Sequence, residues 1–306
     1  MATANDAVGS DNWATHSNTA TTGTGTIDVL TGSLSYSGLA TSVGNKVLLR
    51  GNNTTTPRDI NRAITSTATT LYYSLLLNVI DNTQLSATTP SYFAGFGATA
   101  GANVTTLGAR PAAMSTNSGG NYRLSIQNIS GGTPTFTENA VDLSFGTTYL
   151  VVVKYDASTS PTTATLWVNP SSLGGAEPSS TVTNNSGTTT FSTFASIFLR
   201  NNATTPKVEI DEFRVGTTWA DVTPVSLATS QNEIAGLKIF SSNKMLYVTS
   251  DSSSDKNVVV YDLLGKMVVN QTVAEQAINV SNLATGAYIV KVTEDGKTAT
   301  KKLVIE

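Results

Sequence analysis

From Leu237 to the C terminus, runs of four to eight apolar, β-branched or aromatic residues alternate with short polar turns. Seven runs start near Leu237, Met245, Val258, Met267, Ile278, Ala287 and Thr298. None carries the three-to-four period of a helix, so each reads as a strand. Seven short strands in this space predict a small antiparallel, Ig-like sandwich. The same pattern holds upstream in TIDVLTGSLSYSGL, NKVLLRGNN, LYYSLLLNVI, YRLSIQNI, TTYLVVVKYD, TATLWVNP, SIFLRNN and KVEIDEFRVG. No helical segment of ten residues interrupts it, so the chain must bury its apolar faces sheet on sheet. After YFAGFGA, a long Gly/Ala/Thr/Ser loop is expected to about Asn121.

Charge locates a boundary. All seven arginines precede residue 215, and every basic residue from 236 onward is lysine. The first 225 residues hold 23 charged side chains and the last 81 hold 16, so charge density nearly doubles across the join. Between them, TPVSLATSQNEIAG lacks a strand pattern and carries Pro224. The expected division is 1–222, a linker at 223–235, and 236–306.

Composition excludes several chemistries. There is no cysteine, which removes disulfides and thiolate sites. The one histidine, His16, lies in a polar stretch and is expected at the surface, leaving no multi-histidine metal site. A net charge of −3 gives no footprint for nucleic acid. No apolar run reaches transmembrane length. The opening MATANDAV has neither the charged nor the apolar region of a signal peptide.

In the tail, Gly265 follows Asp262-Leu263-Leu264 and suits a turn with positive φ. Gly286 opens AYIVKV and is expected to hold a backbone shape that a β-branched residue resists. The series V-Y-D-L-L-G-K, L-A-T-G-A-Y-I-V-K-V and a terminal K-K-L-V-I resembles the type A C-terminal sorting domain of the Bacteroidetes type IX secretion system. The matching positions are Asp262, Gly265, Lys266, Leu283, Gly286, Tyr288, Val290, Lys291, Lys301, Lys302 and Leu303. One departure is Ser241-Ser242-Asn243 where the family carries a Pro-Asn-Pro-like turn. The resemblance implies an address tag read by the outer-membrane translocon and its shuttle or attachment proteins. It implies secretion or cell-surface display after periplasmic transit, and the sequence is read as a mature or recombinant form without its signal peptide.

Upstream, GSLSYSGL, LYYSLLLNV, GTTYLVVVKY, LWVNPSSLG and IDEFRVGTTWADV, in that order, resemble a laminin-G-like, concanavalin-type jelly roll. The expected fold class is therefore all-β: a concanavalin/laminin-G-like jelly-roll sandwich followed by the small seven-stranded Ig-like one. That fold hosts lectins, adhesins, hydrolases and lyases alike. The expected cargo is a non-catalytic adhesin or glycan-binding protein, the alternative a polysaccharide-active hydrolase or lyase.

Three groups of residues are candidates for function. Tyr92, Phe93 and Phe96 border the Gly-rich loop and read as an aromatic ligand rim. Asn52, Asn53, Asn201 and Asn202 belong to two echoing segments, LRGNNTTTPR and LRNNATTPK, which the fold would bring together. Trp167 reads as core or half-buried, and Trp219 as a cover for the sandwich end. In EIDEFR the buried parity slips, Val208 and Ile210 on one phase and Phe213 and Val215 on the other, which predicts a bulge at Asp211-Glu212. Pushed outward, Asp211 and Glu212 offer a calcium site, with a salt link to Arg200 or Arg214 as the plainer role. Glu209 and Asp211 match two carboxylates of a retaining glycosidase strand, but the third position falls on Phe213 or Arg214. No catalytic residue is assigned.

Overall fold

The computed structural model describes residues 13–17, 27–51, 58–189, 193–226, 234–274 and 276–305. The chain divides into two compact units, Met1–Ser226 and Leu227–Glu306.

The first unit opens with β1 (Trp13–Ser17), β2 (Ile27–Thr31), β3 (Asn45–Leu49), β4 (Asp59–Ser66) and β5 (Thr70–Val79). Then come β6 (Ser91–Tyr92), β7 (Ala94–Gly97), β8 (Leu107–Thr116), β9 (Asn121–Ile129) and β10 (Thr137–Glu138). It closes with β11 (Tyr149–Asp156), β12 (Thr163–Val168), β13 (Val182–Asn184), β14 (Phe194–Leu199), β15 (Val208–Gly216) and a one-turn helix α1 (Trp219–Val222). The first sheet runs β1-β4-β14-β7-β8-β9-β10, with β6 also on β8; the second runs β13-β12-β11-β5-β15-β3-β2. All strand pairs are antiparallel and the order is far from sequential, as in a jelly roll.

One core fills the space between the sheets. From β5 it takes Leu71, Tyr73, Leu75, Leu77 and Val79, and from β11 Val151, Val153 and Tyr155. This is the period-2 alternation of a strand, so the intervening residues face away from the core. Tyr73 is fully buried, edge-on to Phe96 at 5.0 Å, and donates its hydroxyl to the Ala109 carbonyl at 2.7 Å. Each such side chain contributes about 1.5–3 kcal/mol of burial free energy. The expected slip in β15 is present: its register against β5 shifts between Asp211 and Arg214, with Glu212 at φ 50°.

Two expectations need correction. The Gly/Ala-rich stretch read as loop contains β8, ten residues that pair along most of β9. Its Gly, Ala and Pro have low strand propensity, but small residues suit a strand buried on both faces. The linker is also shorter than expected at both ends. Val222 and Thr223 are fully buried, Ala40 N–H donates to the Pro224 carbonyl at 2.7 Å, and Ser226 N–H donates to that of Gly38 at 2.9 Å. Residues 223–226 thus finish the first unit, and Ile234 already belongs to the second core.

The second unit contains β16 (Lys238–Ser242), β17 (Met245–Thr249), β18 (Lys256–Tyr261), β19 (Met267–Val273), β20 (Ile278–Asn279), β21 (Gly286–Glu294) and β22 (Lys297–Ile305). They form a three-stranded sheet, β16-β17-β20, and a four-stranded one, β19-β18-β21-β22. Leu246, Val258, Val260, Val290, Val292 and Ile305 form the heart of its own core.

Candidate functional site

The outer face of the second sheet is closed. Tyr72, Leu76, Leu150, Val152 and Trp167 alternate with the inter-sheet core and form a second cluster under Leu34, Leu39, Trp219 and Val222. Trp167 and Trp219 meet at 5.0 Å, 1% and 4% exposed, so neither offers a stacking surface. Thr218 caps α1 in a capping box with Asp221 and so holds Trp219 in place.

The carboxylates of EIDEFR lie on or beside this face, and each is engaged. Glu209 pairs with Lys46 at 2.8 Å and accepts from Asn78 at 2.9 Å. Asp211 is buried and accepts the N–H groups of Leu34 and Glu212, both at 2.8 Å. Burial raises its pKa, and the charge of Glu212 adds to this, while the two amides and Lys46 oppose it. Glu212 accepts from Val43 N–H at 2.8 Å and pairs with Arg214. The bulge turns both acids onto amide and guanidinium donors, and a calcium ion there would need several further oxygen ligands. Among the described residues no three His, Asp or Glu side chains cluster in a way that could hold a metal.

The outer face of the first sheet is different. Ile197 and Leu199 of β14 enter the core, so Phe198 and Arg200 point away from it; Gln127, beside Ile126 of β9, does likewise. Tyr92, half-buried on β6, meets this group. Arg110 and Arg200 both lie over its ring, 4.6 and 4.3 Å from the centroid, and Phe198 stands edge-on at 6.2 Å. Gly95 makes room for the Phe198 ring, since a Cβ there would come within 2.9 Å of it. Arg110 bonds Gln127, whose amide donates to the Pro134 carbonyl at 3.1 Å. His16, half-buried on edge strand β1, is edge-on to Phe198 at 6.2 Å and hydrogen-bonded to Asn61.

Of the three aromatics expected at a rim, Tyr92 alone is partly exposed. Phe93 and Phe96 are fully buried in the core, Phe96 against Tyr73 and Phe194, because Phe96 takes the inward parity of β7. The 200–205 loop reaches β6 next to Tyr92, with Thr204 Oγ1 3.0 Å from Ser91 Oγ. Asn201 is buried as a brace, accepting Gly51 N–H at 3.0 Å, and Asn202 N–H donates to Thr205 at 2.9 Å. Asn52 and Asn53 lie outside the described residues. Arg110, absent from the sequence-derived candidates, was hidden in the stretch read as loop; an arginine among small apolar residues was its one local signal.

In the tail the motif residues are mostly structural. Asp262 accepts the N–H groups of Leu264 and Lys266 at 2.9 and 3.0 Å, and Gly265 sits at φ 83°. This tight turn leaves Leu263 and Leu264 exposed, at 65% and 95%. Tyr288 donates to the Ala284 carbonyl at 2.9 Å and pins the LATG turn onto β21, while Leu283 and Leu303 pack against the core beside buried Val290. Lys301 reaches the Ile239 carbonyl at 3.1 Å; Lys266, Lys291 and Lys302 are exposed. Gly286 corrects the sequence reading. Its φ is not positive, and an added Cβ would meet nothing nearer than the Tyr288 ring at 3.9 Å. Gly265→Val is therefore expected to lower tail stability by about 1–2 kcal/mol, and Gly286→Ala by less than about 0.5. Thermal unfolding of the full chain, followed through the tail's transition, checks both.

Residues 242–306 match the family model described as "Secretion system C-terminal sorting domain". The second unit is a type IX sorting domain, and it marks the chain for export by that route, to secretion or cell-surface attachment. No curated protein matches the sequence. Among solved structures the chain is similar to an endo-beta-1,4-glucuronan lyase from the fungus Trichoderma reesei (15% identity, 65% of this chain and 89% of that one, TM-score 0.42). It is similar also to a heptameric SAP-like pentraxin from Limulus polyphemus (10%, 61% and 78%, TM-score 0.39). A third likeness is to the mouse laminin alpha1 chain (11%, 88% and 70%, TM-score 0.30). These likenesses are remote. No helix among the described residues is long and apolar enough to cross a membrane.

Proposed function

We propose that the first unit is a non-catalytic glycan-binding module, delivered across the outer membrane by its sorting tail after periplasmic transit. The observation that carries this reading is the cluster of Tyr92, Arg110 and Arg200 on the outer face of the first sheet. An aromatic ring beside planar guanidinium donors combines apolar contact with directional hydrogen bonding, which is what a sugar's mixed surface requires. The opposite sheet face is filled by its own apolar cover. The acids Glu209, Asp211 and Glu212 are committed to Lys46, Arg214 and backbone amides, which supports binding over hydrolysis.

The test is a glycan array with the full chain and with Tyr92→Ala. Binding by the wild type is expected, weakened about tenfold by loss of the ring and its two cation contacts. A polysaccharide panel, followed for new reducing ends and for absorbance of unsaturated uronates, checks the other arm. Turnover by the wild type would replace the binding reading with that of an enzyme.

A further inference from the structure

We infer that Arg110, Arg200 and Tyr92 form a site for an anionic group, the uronate carboxylate or sulfate ester of an acidic polysaccharide; this rests on the glycan-binding reading and names its ligand class. Six other cations of the first unit are matched. Lys46, Arg50, Arg123, Lys154, Lys207 and Arg214 each pair with a carboxylate. Arg110 and Arg200 form no ion pair among the described residues, although Arg110 is only 7% exposed. Asp59, near the start of the 200–205 loop, instead accepts the Asn201 amide at 2.9 Å.

The hydrogen bonding of the two side chains is also incomplete. Arg110 bonds Gln127, and its Nε is buried without a partner. Arg200 Nη1 makes only long contacts, 3.5 Å to Ser91 Oγ and 3.4 Å to the Tyr92 carbonyl. Burial pulls the Arg110 pKa down; Tyr92 opposes this, and the charge of Arg200 adds to it. A buried cation beside a second one is costly unless an anion compensates. Two guanidinium groups over one phenol ring give the planar, multidentate donors that carboxylate and sulfate accept. The overall charge of −3 argues against a general polyanion surface, so selectivity resides at this point.

Affinity electrophoresis of the full chain through polygalacturonate, dextran sulfate and neutral dextran tests the inference. Retardation by at least one polyanion and not by dextran is expected; the polymer that retards identifies carboxylate or sulfate. Arg200→Gln is expected to weaken it at least about tenfold, with Arg200→Lys intermediate because it keeps charge but loses the fork. Arg110→Gln opens a buried position and can unfold the sheet, so the half-exposed Arg200 carries the test, with an unchanged melting midpoint as the control for folding. Equal retardation by dextran, or polyanion binding indifferent to Arg200→Gln, would overturn the anionic site while leaving glycan binding intact. No retention by these polymers together with a blank glycan array would sink both readings.

Discussion

Removal of residues 234–306 is expected to leave a folded first unit that is no longer exported. Folding survives because the two cores share no residue: Ile234 to Ile305 build one, and Ile27 to Val222 build the others. The first unit is closed by its own last residues, through the hydrogen bonds of Pro224 and Ser226 to the segment around Gly38 and Ala40. Export is lost because the sorting domain lies wholly in the deleted part. Fractionation of cells into periplasm, surface and medium is the measurement, with circular dichroism of the truncated protein to verify its fold. Undiminished appearance of the truncated chain outside the cell would refute the role given to the tail.

The largest single-residue effect is expected at Lys256. Its side chain is fully buried, pairs with Glu294 at 2.9 Å and donates to the carbonyls of Ser252, Ser254 and Ala274 at 3.0, 2.9 and 3.3 Å. Lys256→Met leaves Glu294 buried with one remaining side-chain hydrogen bond among the described residues, from Ser250, and should cost about 3–5 kcal/mol, enough to unfold a domain of this size. Adding Glu294→Leu removes the stranded charge and should restore much of the loss. Acid provides a second reading. Burial raises the Glu294 pKa, but bonds from Lys256 and Ser250 and the charges of Lys256 and Lys297 outweigh it, so the group lies below its ordinary 4.5. Its stabilisation is therefore full above that pH and lost as pH falls through the folded value. The double variant should lack that part of the acid transition. Equal stability of Lys256→Met and wild type in urea would contradict the argument.

Strand period was legible almost throughout. The starts of the tail strands can be placed within two residues, because each run is bounded by turn residues and has one buried face. The bulge at Asp211-Glu212 could be read from a parity slip alone. What sequence could not supply was the partner across a sheet. Phe93 and Phe96 look like a rim beside a glycine-rich loop, and only the facing strand with Tyr73 draws Phe96 inward. β8 escaped because its neighbours, not its own propensity, make it a strand, and Arg110 escaped with it. The pairing of Arg110 with Arg200 spans ninety positions and leaves no local pattern. Gly286 was misread for the opposite reason: a glycine in a motif suggested strain, yet the backbone there is ordinary.

The position of β15 has a consequence for the order in which the chain can be assembled. As the last strand of its unit it lies between β5 and β3, so the second sheet has a gap at its centre until residue 216 is available. β14, the strand before it, likewise joins β4 to β7 in the first sheet. A nascent first unit therefore holds nearly two hundred residues of strand-forming chain with its two central seams open, and cannot close its core piecemeal from the N terminus. Such long-range closure is slow and leaves unpaired edges exposed meanwhile. The tail, built from the consecutive hairpins β16–β17, β18–β19 and β21–β22, is under no such constraint and can finish folding as soon as its own residues emerge.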